Sequence, residues 1–180
     1  MKTGLLLIDI QNDYFPGGKM PLTGILPAAE KARSLLDHFR KGRLPIYHVQ
    51  HVSIRSGAAF FLPRTEGAKI YAALEPSAGE TVFQKHFPNS FRETPLLETL
   101  RKQDVDALVV AGAMSHMCVD ATVRAACDLG FSCTVIEDAC ATRDLEFRGS
   151  LVPAAQVHRA FMAALQGAYA KVMTAQEFLP

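Results

Sequence analysis

The chain alternates short apolar runs with longer segments in which apolar residues recur at helical spacing. Several runs, such as "DALVVAG", are apolar throughout rather than alternating, which is typical of parallel strands covered on both faces. The pattern therefore predicts a mainly parallel sheet buried between two outer layers. The six predicted strands span residues 4–10, 44–51, 80–85, 106–112, 132–138 and 170–175.

Helical periodicity fills most of the gaps between these strands. A first helix is predicted between Pro27 and Gly42, and a second begins after Pro95. Two more are predicted over residues 119–130 and from about 154 to 168. Such strand–helix alternation indicates right-handed crossovers, and hence an α/β fold with a mainly parallel sheet.

Composition and charge narrow the class of protein. A length of 180 residues, with 49% hydrophobic and 21% charged residues, favours one globular domain over residues 1–180. The net charge is +1 and no basic patch stands out, so we expect no nucleic-acid partner and no membrane partner. The start, "MKTGLLLIDIQNDYF", lacks the long apolar core of a signal peptide, which favours a cytoplasmic protein.

Three chemically active residues fall at the carboxyl ends of predicted strands, where open parallel sheets gather their ligands. Asp9 ends the first strand, Lys85 ends the third, and Cys118 follows the fourth after a bend. Each has an ordinary explanation alone: a loop-capping aspartate, a solvated lysine and a core cysteine. Together, at one edge of one sheet, they predict a catalytic site.

Cys118 stands where a thiol is chemically useful, because only the thiolate is a strong nucleophile. A helix N-terminus and a nearby lysine would lower the pKa of the thiol, and a carboxylate could accept its proton. The bend at residues 112–117 can also direct backbone N–H groups at a developing oxyanion. The other cysteines (Cys127, Cys133 and Cys140) form no CxxC pair and are expected to be ordinary thiols.

Three ordered motifs carry a family resemblance over nearly the whole chain: "LLLIDIQNDYF", "FQKHFPNSF" and "VVAGAMSHMCVDATVRAA". They resemble the isochorismatase-like cysteine hydrolases, a superfamily that includes nicotinamidases and N-carbamoylsarcosine amidases. The resemblance implies a three-layer α/β/α, Rossmann-like fold with a six-stranded parallel sheet, and a catalytic triad of Asp9, Lys85 and Cys118. It also implies a cis peptide bond between Ala113 and Met114, and an oxyanion hole formed by the N–H groups of Met114 and Cys118.

The resemblance also bears on the reaction. True isochorismatases lack the nucleophilic cysteine, so Cys118 favours hydrolysis of a C–N amide or lactam bond through a thioester. The segments "HVQH" and "HFPNSF" are similar to those of streptothricin-hydrolase-like proteins. A family member that is only a binding or assembly subunit is the alternative from another class.

A metal-assisted, nicotinamidase-type amidase is a further alternative. Nicotinamidases commonly bind a metal through an Asp-x-His pair after the second strand, where this chain has Gln50 and Val52. We therefore expect no metal and no other cofactor, and leave open whether His48 or His51 binds an ion. Members of the family are usually oligomers, so we expect a homo-oligomer. The irregular segment 52–79 is its candidate interface.

Seven further residues are candidates for contact with a small-molecule amide substrate. The apolar candidates could equally be core or subunit contacts. His116 could form a Cys–His dyad with Cys118, although residues two apart on a helix do not point at one spot. His158 is expected to be a structural hydrogen-bonding residue. The seven candidates are Phe15, Phe60, Phe61, Leu62, Asn89, Ser115 and His116.

Overall fold

The computed structural model describes residues 2–180, and a six-stranded parallel sheet runs through its centre. The strand order is β3-β2-β1-β4-β5-β8, and every neighbouring pair is parallel. This confirms the predicted sheet. The strands are β1 (Thr3–Ile8), β2 (Ile46–His51), β3 (Thr81–Lys85), β4 (Ala107–Ala113), β5 (Ser132–Ala141) and β8 (Lys171–Met173), with the hairpin strands β6 (Leu145–Phe147) and β7 (Ser150–Val152) lying outside the sheet.

Helices cover both faces of the sheet. One layer contains α1 and α5, and the other contains α2, α3 and α4, as the two apolar clusters on opposite faces show. The fold is therefore the α/β/α sandwich that the sequence predicts. The helices are α1 (Ile25–Lys41), α2 (Leu96–Lys102), α3 (Asp120–Asp128), α4 (Ala154–Leu165) and α5 (Ala175–Phe178).

Strand β1 shows why the sheet needs both layers. Leu5 and Leu7 point into the cluster under α1, whereas Leu6 and Ile8 point into the cluster under the opposite helices. All four are buried. Burying a side chain of this size contributes roughly 1.5–3 kcal/mol, so this unbroken apolar strand belongs at the centre of the sheet.

The structure differs from the predicted elements at several ends. Strand β5 runs on to Ala141, with a register shift against β4 between Val110 and Gly112. The hairpin and α5 were not predicted, because segments of three or four residues carry too little periodicity. Helix α3 begins at Asp120, since the preceding residues Ser115–Val119 form a wider, π-type helical turn.

The segment 52–79 is irregular, as predicted. It contains two single-turn 3-10 helices, Glu66–Ala68 and Ala72–Leu74, and its partly buried residues Ile70 and Tyr71 pack against the core. Its part in a subunit interface stays a prediction. Within residues 2–180, every helix is too short or too polar to cross a membrane.

Candidate active site

Three strand ends at one edge of the sheet bring together the residues that the sequence singled out. Asp9 directly follows β1, Lys85 is the last residue of β3, and Cys118 lies in the π-type turn after β4. Strand β2 separates β1 from β3, so the Lys85 side chain reaches across the end of β2. The three residues are 3% exposed or less.

The Lys85–Asp9 contact is the shortest link in this cluster. Lys85 Nζ donates to Asp9 Oδ2 at 2.7 Å, and both side chains are fully buried. Burial lowers the pKa of Lys85, but the charge of Asp9, with its hydrogen bond to the ammonium, raises it by more, so the net shift is upward. The ammonium is therefore a permanent cation beside the carboxylate.

Asp9 itself has two unusual features. Its φ of 52° lies in the left-handed region, which a non-glycine residue adopts only when its surroundings enforce it. Its Oδ1 is buried and has no hydrogen-bond partner within the described chain, while Oδ2 is held by Lys85. Leaving a buried carboxylate oxygen unpaired is costly, so this orphaned oxygen calls for an explanation other than fold stability.

Cys118 completes the cluster. A carboxylate oxygen of Asp9, a ring nitrogen of His51 and Cys118 Sγ all lie within 4.8 Å of one another. Burial raises the pKa of the thiol, the negative charge of Asp9 raises it further, and the opposing effect of Lys85 is smaller. This corrects the expectation of a lowered pKa: the resting sulfur is a neutral thiol, because it is dry and faces a carboxylate.

The turn before Cys118 has the geometry that the motif resemblance implies. The peptide bond between Ala113 and Met114 is cis, and the Met114 carbonyl accepts from Met117 N and Val119 N at 3.0 and 3.2 Å. The oxyanion hole at Met114 and Cys118 stays a prediction. Only glycine fits at Gly112, because a Cβ there would overlap the Ile8 carbonyl oxygen.

The apolar pocket candidates divide into two groups. Phe61 is buried, and its ring centroid lies 6.0 Å from that of His51 and 4.9 Å from that of Phe60, so this pair lies beside the cluster. Phe15 and Leu62 instead line an open cleft of about 570 Å³ whose lining includes none of the triad residues. Contact of these four residues with a substrate stays a prediction.

The polar candidates are already engaged in local contacts. Ser115 is fully buried, and its hydroxyl contacts the Ala141 carbonyl and His158 Nδ1 at 3.2 and 2.8 Å. His158 therefore has the structural contact expected of it, and Ser115 helps hold α4 on β5. Asn89 Oδ1 accepts from a backbone N–H two residues on, at 2.9 Å, which caps its own turn.

His116 points its Nδ1 at Thr142 Oγ1, at 2.6 Å. Burial lowers its pKa, and the charge of Arg143 lowers it further, so the ring is neutral near pH 7. With Nδ1 engaged by Thr142, the ring is oriented by that hydroxyl. Asp9, by contrast, has an oxygen without a hydrogen-bond partner, and its carboxylate lies within 4.8 Å of the Cys118 sulfur.

Two residues near the cluster were not singled out by the sequence. Burial raises the pKa of Tyr14 well above its ordinary value, and the charges of Cys118 and Asp9 raise it further, while Arg143 opposes them. The phenol is therefore a neutral hydroxyl close to the triad. Arg143 is the second residue after the end of β5, and its buried Nε has no hydrogen-bond partner within residues 2–180. Its position beyond the carboxyl end of a strand is the sequence feature that could have identified it as a site residue.

The residues present do not fit a resident metal ion. Asp9, His51 and Cys118 could supply three donor atoms, but the Lys85 ammonium already contacts Asp9 Oδ2 and His51 Nδ1. A divalent ion there would have to lie beside a buried cation. His48 is not free either, because its Nε2 lies 2.8 Å from Glu80 Oε2.

Comparisons with known proteins agree with this fold. The chain is 54% identical over 179 residues to the isochorismatase family protein YddQ of Bacillus subtilis (strain 168), covering 99% of both chains. It is 31% identical over 159 residues to streptothricin hydrolase of Streptomyces noursei, covering 87% of this chain and 56% of that one.

A solved structure is similar as well. The isochorismatase hydrolase from Oleispira antarctica matches with a TM-score of 0.94 and 53% identity, over 98% of this chain and 95% of that one. Relatives of this chain also include a nicotinamidase, so the family contains hydrolases of C–N bonds. The isochorismatase domain model matches residues 3–177, and the chain therefore belongs to the isochorismatase family.

Proposed function

We propose that this protein is a cysteine hydrolase that cleaves the C–N bond of a small amide or lactam through a thioester. One observation carries the proposal: Asp9 keeps a buried, unpartnered oxygen while its carboxylate lies within 4.8 Å of Cys118 Sγ. A base next to a thiol, held by a lysine, is the arrangement that nucleophilic catalysis needs. The family's C–N hydrolases support the same chemistry.

In the first half of the reaction, Asp9 Oδ1 accepts the thiol proton as Sγ attacks the carbonyl carbon of the amide. The carbonyl oxygen becomes an oxyanion, which the N–H groups of Met114 and Cys118 stabilise by hydrogen bonds. Protonated Asp9 then donates its proton to the leaving nitrogen. The C–N bond breaks, the amine or ammonia departs, and the acyl group remains on the sulfur as a thioester.

In the second half, Asp9 accepts a proton from water as the water oxygen attacks the thioester carbon. The C–S bond breaks, the carboxylic acid leaves, and the proton on Asp9 returns to the sulfur. The sum is one amide and one water converted to one acid and one amine. Asp9 is the base and then the acid in each half, as microscopic reversibility requires.

The neutral resting thiol suits this mechanism. Asp9 and Lys85 already form a buried pair with no net charge, and a thiolate would add an unpaired negative charge in a dry site. Transfer of the proton to Asp9 during the attack avoids this cost, because the carboxylate loses its charge as the sulfur gains one. The Lys85 ammonium then faces the developing oxyanion and sulfur charges.

Arg143 favours a substrate that carries an anionic group in addition to the amide. Its guanidinium is close enough to Tyr14 and His116 to shift both pKa values, and its Nε is buried and unpartnered. A guanidinium whose buried Nε lacks an acceptor is matched by a carboxylate, which forms strong, directional hydrogen bonds with it. We therefore expect a carboxylate-bearing amide.

A panel of small amides tests the proposal. Primary amides, substituted amides, ureido compounds and lactams, each with and without a carboxylate, are scored for release of ammonia or amine. We expect turnover of at least one carboxylate-bearing member. Cys118→Ala should lower that turnover by at least about 10⁴-fold, because the nucleophile is lost. The matched control is Cys133→Ala, which removes another buried thiol that makes no contact with the triad.

Three outcomes would contradict the proposal. Substantial turnover by a folded Cys118→Ala variant would remove Cys118 as nucleophile. Loss of turnover on adding a chelator, with recovery on adding metal, would favour the metal-assisted amidase. Failure of the wild-type protein to hydrolyse any amide in the panel would favour a binding or assembly subunit.

A further inference from the structure

His51 occupies a position that the proposed mechanism has not used. It is the last residue of β2, between the strand that leads to Asp9 and the strand that ends at Lys85, and it pairs in register with Lys85. Its backbone is fixed on both sides by Gln11, which accepts from His51 N at 2.7 Å and donates to His51 O at 2.8 Å. The position of the His51 backbone is therefore fixed by Gln11, which is itself fully buried.

The Lys85 ammonium has three N–H donors and three acceptors around it. These are Asp9 Oδ2 at 2.7 Å, His51 Nδ1 at 3.1 Å and the Phe87 carbonyl oxygen at 3.1 Å. The three contacts together fix the direction of every ammonium proton. Without His51, the ammonium would lose one of these three acceptors and could turn away from Asp9.

The same contact determines the tautomer of His51. An ammonium can only donate, so His51 Nδ1 must accept and cannot carry a proton. The ring is therefore neutral, with its proton on Nε2. A protonated ring would place a second cation against Lys85 and break the contact.

We propose that His51 is a positioning residue for the hydrolysis: its neutral imidazole holds the Lys85 ammonium against Asp9 Oδ2 and so keeps Asp9 Oδ1 free for the Cys118 proton. This role rests on the proposed function. It adds a fourth side chain to the three that the motifs supply.

The surroundings keep the ring neutral. Burial lowers the pKa of His51 to about 4; the charge of Asp9 raises it, and the charges of Lys85 and His86 lower it. These groups come from the ends of β1 and β3, and Cys118 faces the ring as a neutral thiol. The imidazole therefore stays an acceptor at neutral pH.

Kinetics of two variants test the role. His51→Leu removes the acceptor at similar size, whereas His51→Asn keeps an oxygen near the place of Nδ1. We expect His51→Leu to lower kcat by about 100-fold with little change in KM, as misplacement of a catalytic group does. His51→Asn should recover most of that loss. His86→Leu is the matched control, because its ring contacts the Val52 carbonyl and not the ammonium.

Nitrogen NMR of histidine-labelled protein tests the contact without any substrate. The wild-type His51 signals, assigned by comparison with His51→Asn, should show the Nε2–H tautomer at neutral pH and titrate near pH 4. In Lys85→Met the Nδ1 signal should shift, because its donor is gone. Melting curves of each variant show whether it is folded.

The two experiments separate the inference from the proposed function. Equal kcat values for His51→Leu, His51→Asn and the wild type would overturn the positioning role while leaving the hydrolase intact. An Nδ1–H tautomer, or a spectrum unchanged by Lys85→Met, would overturn the contact itself. The expected spectrum in a protein that hydrolyses no amide would support the contact and contradict the proposed function.

Discussion

The ammonium of Lys85 lies 2.7 Å from the Asp9 carboxylate, and neither side chain has exposed surface. The pair therefore joins the ends of β3 and β1 across β2 inside the protein. Burying this ion pair removes two charges from water, which is unfavourable. Only the attraction between the two charges and their other hydrogen bonds offset that cost. The proposed catalytic roles of Asp9 and Lys85 would account for a buried ion pair that is so unfavourable to desolvate.

Loss of one partner should therefore destabilise the fold. Lys85→Met leaves Asp9 as an uncompensated buried charge, so we expect the free energy of unfolding to fall by about 3–5 kcal/mol. The control is Lys69→Met, since Lys69 pairs with Glu66 on the exposed surface and should contribute less than about 1 kcal/mol. Urea unfolding at neutral pH measures both. Equal effects of the two substitutions would contradict the burial argument.

The raised pKa of Cys118 predicts how the thiol reacts with iodoacetamide. In the wild type, alkylation of Cys118 should keep accelerating above pH 9.0, the ordinary pKa of a cysteine, because the buried thiol ionises only above it. Asp9→Asn removes a negative charge that raises this pKa. Alkylation at neutral pH should then become faster even though turnover is lost.

Peptide mass spectrometry follows each cysteine in that experiment. Half-buried Cys127 is the internal reference, since its rate should be the same in both proteins. A Cys118 rate that levels off well below pH 9.0 in the wild type would show a thiolate at rest. It would contradict proton transfer during the attack.

Arg143 provides a test of substrate charge. With a carboxylate-bearing amide as substrate, Arg143→Met should raise KM by about 100-fold, because a charge-assisted hydrogen bond to the substrate is lost. For a neutral analogue of the same size, Arg143→Met should change KM little. The control is Arg148→Met on the exposed hairpin, where the guanidinium stacks on Phe147 at 5.4 Å. An equal rise in KM for both substrates would contradict recognition of the anion.

Glu80 predicts an acid-sensitive part of the stability. Burial raises its pKa, but hydrogen bonds from Arg40, the Ser77 N–H and His48 lower it by more, to about 2 from the ordinary 4.5. Because the folded-state pKa is depressed, this contribution is complete above pH 4.5 and is lost as the pH falls toward 2. It amounts to about 3 kcal/mol at most.

Glu80→Gln is the variant that measures it. The difference in unfolding free energy from the wild type should be largest at neutral pH and should shrink below pH 4.5. Urea unfolding at a series of pH values gives this curve. Glu66→Gln on the exposed surface should show no such trend. A difference for Glu80→Gln that stays constant with pH would contradict the depressed pKa.

Much of the fold follows from the apolar pattern. The run "LLLI" in β1 is apolar on both faces, and the structure buries it between two helical layers. The edge shared by Asp9, Lys85 and Cys118 follows as well, since the carboxyl ends of parallel strands lie on one side. Which strand ends lie next to each other depends on the order of the strands in the sheet. The periodicity of apolar residues alone does not reveal that order.

The rest of the site depends on long-range contacts. Ser115 is only three residues from Cys118 in sequence, yet its hydroxyl bonds to β5 and α4 because the π-type turn rotates it inward. His51 could not be identified as a site residue before β2 was known to lie between β1 and β3. Arg143 follows the end of a strand that is longer than predicted.

The neutral, buried state of Cys118 affects how readily hydrogen peroxide oxidises its thiol. Hydrogen peroxide oxidises thiolates far faster than thiols, and a sulfenic acid formed on the nucleophile would stop turnover. Between substrates, the sulfur is protonated and shielded from solvent. In the resting protein, Cys118, the proposed nucleophile, should therefore stay reduced when hydrogen peroxide is added. The half-buried Cys127 should be oxidised more readily.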